Sequence, residues 1–224
     1  IHIAGVTIPG LPWAIAGQNE HIAWGPTNTF MDYTDWYVEE LVKDGDGQAM
    51  GVMFQGEVVP FTRVPFTATY SDGTEEQREL LFVPHHGPVR EIDLENDIAI
   101  TLRWTIQDIA TDLDIFTPLA KAETVEEGRV ANESGTAWGQ CYVMADTEGT
   151  LGYFPYNRPA KRAWATNLDG DAPPWVPLDG RCEVPERCYE WTEFWGPADL
   201  PQVVNPPEGF IATANNDITG ALFD

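Results

Sequence analysis

Short apolar runs, broken at close intervals by turn chemistry, constrain this chain more than any other feature. Lys43-Asp44-Gly45-Asp46-Gly47, Tyr70-Ser71-Asp72-Gly73 and Asp146-Thr147-Glu148-Gly149 each set glycine near an acid between β-rich stretches. Glycine supplies the positive φ of a tight hairpin, and an aspartate carboxylate folds back onto its own backbone. The stretches between suit a pleated surface: Trp36-Tyr37-Val38-Glu39-Glu40-Leu41 alternates, and Phe66-Thr67-Ala68-Thr69-Tyr70 is aromatic and β-branched. With 20 glycines, 18 prolines, nine Trp, seven Tyr and ten Phe, the chain reads as α+β and dominated by strands. Residues 36–99 look like an all-β insertion.

Residues 98–138 read as the only clearly helical region. There Asp114, Ile115, Phe116, Leu119 and Ala120 have amphipathic spacing, and Thr124-Val125-Glu126-Glu127 is a capping box. The helix opened by Thr124 should stop near Asn132-Glu133-Ser134-Gly135. A hairpin should follow over 138–154, then an irregular stretch over 157–209 held by its tryptophans, then a strand ending in Asn215-Asn216.

Charge excludes partners. Twelve Lys+Arg against 36 Asp+Glu give a net charge of −24, which repels nucleic acid and anionic membrane alike. A 43% hydrophobic content is too high for a disordered acidic tail. No apolar run approaches the roughly 18–20 residues that span a bilayer. The chain opens on Ile1-His2-Ile3-Ala4-Gly5, mid-strand in character and without a signal-peptide pattern, so it is expected to be a piece of a longer protein.

A search for chemistry gives mostly negatives. The two serines, Ser71 and Ser134, lie in turn sequences and not in a nucleophile elbow. His2, His21, His85 and His86 lack metal spacing, and adjacent histidines on a strand would point to opposite faces. Cys182 and Cys188 are either a short disulfide loop or two thiols, and Cys141 sits in an apolar run as a small core residue. Asp32-Tyr33-Thr34-Asp35 offers two carboxylates and a carbonyl in a tight bend, either a calcium-type ligand set or solvated acids. Asp44-Gly45-Asp46-Gly47 reads as a hairpin tip, and Asp169-Gly170-Asp171 as surface acids.

Ordered strings along nearly the whole chain carry a resemblance. They are Gly5-Val6-Thr7-Ile8-Pro9-Gly10-Leu11-Pro12, Gly17-Gln18-Asn19-Glu20-His21-Ile22-Ala23-Trp24-Gly25, Thr27-Asn28-Thr29, and Asp32 with Asp35 before Trp36-Tyr37-Val38-Glu39. His86-Gly87-Pro88-Val89, Leu102-Arg103-Trp104, Ala145-Asp146-Thr147-Glu148-Gly149-Thr150-Leu151-Gly152-Tyr153 and Val204-Asn205-Pro206-Pro207-Glu208-Gly209-Phe210-Ile211-Ala212-Thr213-Ala214-Asn215-Asn216 follow in order. Together they resemble the middle of the β subunit in the penicillin acylase family. The resemblance implies an N-terminal-nucleophile (Ntn) hydrolase: an αββα sandwich, here 1–35 with 100–224, carrying an inserted all-β domain over 36–99. It implies hydrolysis of a linear amide through a serine acyl-enzyme, the serine's own α-amino group acting as base. That serine would lie upstream of Ile1, so the chain alone is expected to be inactive.

Site residues follow from the same resemblance. The oxyanion hole would combine the main-chain N–H of Asn28 with the side-chain amide of Asn215. Ala16, Phe30, Trp104 and Gln140 would line an acyl pocket, roomier and more polar than one for phenylacetyl groups. Structural calcium would bind Asp32, the carbonyl of Thr34, Asp35 and Asp224, with no organic cofactor. Implied partners are a small amide substrate, the α subunit and the other β-subunit segments of one precursor, in the periplasm or outside the cell. The competing readings are a non-catalytic β-rich interaction module on this scaffold and, more weakly, a calcium-dependent adhesion domain.

Overall fold

The computed structural model describes residues 2–108, 111–137, 139–156, 158–165, 172–173 and 175–216. In chain order the strands begin β1 (Ala4–Val6), β2 (Ala16–Gln18), β3 (Ile22–Asn28), β4 (Thr34–Lys43), β5 (Ala49–Phe54), β6 (Glu57–Pro60) and β7 (Thr62–Thr69). Then come β8 (Glu75–Val83), β9 (Gly87–Asp93) and β10 (Ile98–Trp104), helices α1 (Phe116–Lys121) and α2 (Val125–Asn132), and β11 (Gln140–Asp146), β12 (Leu151–Tyr156), β13 (Leu178–Asp179) and β14 (Val203–Val204). They divide into two compact units: 1–33 with 108–161 and 192–224, and 34–107 with 162–191. The segment 162–191, read from sequence as part of the irregular stretch of the sandwich, packs with the second unit.

The first unit is a six-stranded sheet in the order β1-β2-β3-β11-β12-β14, with both helices on one face. Alternation explains the burial. Ile22 and Trp24 of β3, Tyr142 and Met144 of β11 and Phe154 of β12 turn to the same core as Ile115, Leu119, Val125 and Ala131. Thr124 caps α2, its hydroxyl accepting from the Glu127 N–H at 3.2 Å. Glu127 reaches back one residue further than a capping box requires, to the Glu123 N–H at 2.7 Å. The β11–β12 turn is closed by Asp146, which accepts from Thr150 N–H at 2.8 Å and also from Val125 N–H at 3.1 Å, tying the hairpin to the start of α2. The predicted strand before Asn215 is not formed; residues 210–216 are irregular, and the nearest strand is β14.

The second unit is an antiparallel sheet in the order β6-β5-β4-β10-β9-β8-β7, two meanders (β4 to β6 and β7 to β10) joined where β4 pairs with β10, with β13 added parallel to β4. Leu41, Val52, Phe61, Val83 and Ala99 form its main core. Ile98–Trp104, read from sequence as the start of the helical region, is instead a strand paired with both β4 and β9. Its alternation of Ala99 and Thr101 inward fits that central position, and neighbouring strands override local helix preference. The Asp44–Gly47 segment is a hairpin tip as expected, with Asp44 accepting from Asp46 and Gln48 N–H. Cys182 and Cys188 are disulfide-bonded, and Cys141 is a buried free thiol. No helix among the described residues is long and apolar enough to cross a membrane.

Candidate active site

An unfinished strand edge makes the site. Among the described residues β2 pairs with β3 only at Gly17↔Trp24 and Gln18↔Ala23, which leaves β3 open on that side from Gly25 onward. On its other side β3 pairs with β11 through Gln140↔Asn28. The Thr29 N–H donates across that side to the Gly139 carbonyl at 2.8 Å. Successive amides on a strand point to opposite edges, so the Asn28 N–H faces the open one. Pro26, the preceding residue of that parity, has no N–H, and Asn28 is left as the donor.

Asn215 meets that donor. Its Oδ1 accepts from the Asn28 N–H at 2.9 Å. Asn215 has φ +56°, a left-handed conformation that asparagine tolerates better than most residues. Two further bonds hold the loop: the Thr27 and Thr213 hydroxyls pair at 2.9 Å, and the Asn216 side chain accepts from the Ala214 N–H at 3.3 Å. Across the strand pair, Gln140 Nε2 donates to Asn28 Oδ1 at 2.8 Å. Thus Asn28, Gln140 and Asn215, distant in sequence, form one exposed polar cluster. The Asn215 oxygen sits where any acceptor for the Asn28 amide must sit.

The other residues singled out from sequence are placed as follows. Phe30 is 71% exposed and held at φ +53°, a strained conformation for a bulky side chain. Ala16 opens β2 opposite Val6. Trp104 ends β10 in the second unit, its indole N–H buried without a hydrogen-bond partner. Asp32 is partly buried, and Thr34 starts β4. Asp35 is buried in the second unit, where its Oδ2 accepts from Arg162 Nε at 2.9 Å and Trp191 Nε1 at 2.6 Å. Burial raises the Asp35 pKa and outweighs the opposing pull of Arg162. Asp224 and Asp169-Gly170-Asp171 lie outside the described residues. The Cys141 thiol is pushed up to about 11 by burial, so it is no nucleophile at neutral pH.

A second cluster escaped the sequence reading. In the second unit His86 is 1% exposed and bridges two carboxylates: Nδ1 to Glu39 Oε1 at 2.7 Å and Nε2 to Glu190 Oε1 at 2.8 Å. Burial works against charge on His86, but the bonds to Glu190 and Glu39 prevail and raise its pKa. His85 is shifted down to about 4, first by burial and then by its neighbour His86. The two histidines lie in the turn before β9 and not on a strand, so the opposite-face argument does not hold. Gly87, at φ +83°, was the available signal of that turn.

The Asn28 N–H and the Asn215 side chain thus meet at one strand edge. The chain belongs to the penicillin amidase family, whose model it matches over residues 1–223. It is 28% identical over 225 residues to the acyl-homoserine lactone acylase QuiP of Pseudomonas aeruginosa, covering 95% of this chain and 25% of that protein. It is 28% identical over 220 residues to the penicillin acylase 2 proenzyme of a Pseudomonas species, covering 96% of this chain and 26% of that protein. Its fold is that of the thermostable penicillin G acylase from Alcaligenes faecalis, with a TM-score of 0.80 at 21% identity, covering 96% of this chain and 36% of that chain. The chain therefore spans about a quarter of the length of the curated relatives it matches.

Proposed function

We propose that this chain is the part of a penicillin acylase-like amidase that supplies the oxyanion hole, and that the parent enzyme hydrolyses a linear amide through a serine acyl-enzyme. The observation that carries the proposal is the 2.9 Å bond from the Asn28 N–H to Asn215 Oδ1. During reaction the substrate oxygen takes the place of Oδ1 on that N–H. The Asn215 amide turns so that Nδ2 becomes the second donor, and both bonds strengthen as the carbonyl oxygen becomes negative. Ser71 lies in a hairpin tip and Ser134 in the turn after α2. On this reading, as the family resemblance implies, the nucleophile is a serine N-terminal to Ile1, with its own α-amino group as base. The α subunit and the remaining β-subunit segments complete the enzyme in the periplasm or outside the cell.

Gln140 pairs with Asn28 and Phe30 follows it two residues on, and this reading keeps both, with Ala16, in its acyl-binding set; Trp104, in the second unit, joins the set through the resemblance alone. The strain at Phe30 supports a ligand-facing role, because strain of this kind costs about 1–3 kcal/mol and persists where function over-determines it. Small Ala16 and polar Gln140 favour an aliphatic or glutaryl-like acyl group. The Asp32–Asp35 bend offers two carboxylates and the Thr34 carbonyl, the hard oxygens that calcium takes, with Asp35 Oδ2 already held by Arg162 and Trp191. Calcium there would be held by Asp32, the Thr34 carbonyl and Asp35, and it would tie down the bend without entering the reaction.

The test uses the full-length processed protein. It should hydrolyse N-acyl amides, and a slow substrate should leave an acyl adduct on the N-terminal serine by mass spectrometry. Long-chain or glutaryl amides should exceed phenylacetyl amides in kcat/KM. Absence of hydrolysis and adduct across all three acyl classes points instead to the non-catalytic module.

A further inference from the structure

We infer that Glu39, His85 and His86 form a buried structural site for zinc or another late first-row divalent ion. One ligand atom from each residue lies within 4.8 Å of the other two. Glu39 is 47 positions from His86 in sequence; the fold brings it to the two adjacent histidines, with Glu39 on β4 and both histidines in the turn before β9. The His85 and His86 ring centroids are 4.3 Å apart, so both rings leave the turn on the same side.

Among the described residues, two buried polar atoms lack partners at this spot: Glu39 Oε2 and His85 Nε2. Glu39 is 0% exposed, so no bulk water reaches its free oxygen. Buried acceptors are rarely left unmatched, because the desolvation of each goes uncompensated. A single cation would satisfy both. Gly180 is part of the arrangement, since a Cβ there would stand 2.0 Å from Glu39 Oε2 and push the carboxylate out of place.

The surroundings are those of a metal site and not of the three ligands alone. Glu190 accepts from the outer nitrogen of His86 at 2.8 Å, the carboxylate-behind-histidine pattern that fixes a ligand ring and its tautomer. The Thr101 hydroxyl donates to Glu39 Oε1 at 2.7 Å and orients the carboxylate. Tyr37 stacks on His86 at 3.6 Å and Phe54 on His85 at 3.9 Å, locking both rings. The ion replaces the proton shared between His86 Nδ1 and Glu39 Oε1, which leaves as the metal enters. Two imidazoles and one carboxylate suit zinc, cobalt or nickel; calcium takes six to eight oxygens and is excluded by the donor set.

The experiment reads metal content, not catalysis, so its outcome is independent of the amidase reading. The full-length protein is produced with added zinc, dialysed, and its bound metal measured by mass spectrometry. Stoichiometric zinc is expected in the wild type, with loss of one equivalent in His85→Ala. His85 lies outside the Glu39–His86–Glu190 bonds, so this variant disturbs packing least. Only trace zinc in the loaded wild type, or zinc fully retained in His85→Ala, overturns the site. Should His85→Ala fail to fold, the cobalt-loaded wild type decides: visible d–d bands of tetrahedral cobalt support the site, and their absence rejects it.

Discussion

Thr101 offers a clean measure of how the second unit holds its buried carboxylate. Thr101 and Glu39 are both 0% exposed, and the hydroxyl donates to Glu39 Oε1 at 2.7 Å. Thr101→Val removes the donor while keeping the branched shape and most of the volume, so the cavity contribution is small. Hydrogen bonds to a charged group contribute about 1.5–3 kcal/mol. Glu39 Oε2 has no protein partner among the described residues, and after substitution His86 Nδ1 is the one side-chain group left bonded to Oε1 among them. The expected loss is therefore about 2 kcal/mol, in the middle of that range. Urea unfolding of the full protein, followed by tryptophan fluorescence, should show a lower midpoint at unchanged m, a fall of about 1 M. Thr67→Val is the control: its hydroxyl also bonds a side chain, Gln77, but on an exposed strand, and it should stay within about 0.5 kcal/mol. A Thr101→Val midpoint no different from that control would refute the reasoning.

Reduction of Cys182–Cys188, which closes a loop of sequence separation 6, should destabilise the second unit by about 2 kcal/mol through loop entropy; an unchanged melt with and without reductant contradicts this. Asp146 has a pKa held below 3.8: burial acts to raise it, but the N–H bonds from Val125 and Thr150 outweigh that. A depressed carboxylate stabilises the fold above its unfolded pKa, and that stability is lost as pH falls through the folded value. Asp146→Asn should thus melt lower than wild type at neutral pH, by about 1 kcal/mol, with the gap closing below pH ~4; a gap constant with pH would count against it. Gly87→Ala should cost about 1–2 kcal/mol, because φ is +83° and the new Cβ would crowd the Gln107 side chain; a neutral result in thermal denaturation would disprove it.

What sequence reveals here is local or already chemical. The Thr124 cap, the Asp44 and Asp146 hairpin turns and the strand dominance follow from residues a few positions apart, where backbone preference acts directly. The pairing of Asn28 with Asn215 became legible only through resemblance, because nothing local in Asn215-Asn216 points to a strand 187 positions away. The histidines were misread because alternation holds on strands and fails in a turn, and Gly87 places them in one. Glu39 was hidden by its strand pattern, in which an inward carboxylate looks like an ordinary surface acid. The transfer of 162–191 to the second unit depends on pairs such as Arg162 with Asp35 and Tyr189 with Tyr37, which no periodicity announces.

The oxyanion role of Asn215 is tested most directly by the turnover of Asn215→Ala in the full-length processed enzyme. The substitution removes one donor and leaves the Asn28 N–H in place, on a residue exposed at a loop end, so folding should survive. The account expects kcat to fall by about 10²–10³ with KM little changed, because the lost bond matters mainly when the oxygen is negative. A variant whose kcat stays within about threefold of wild type would contradict it.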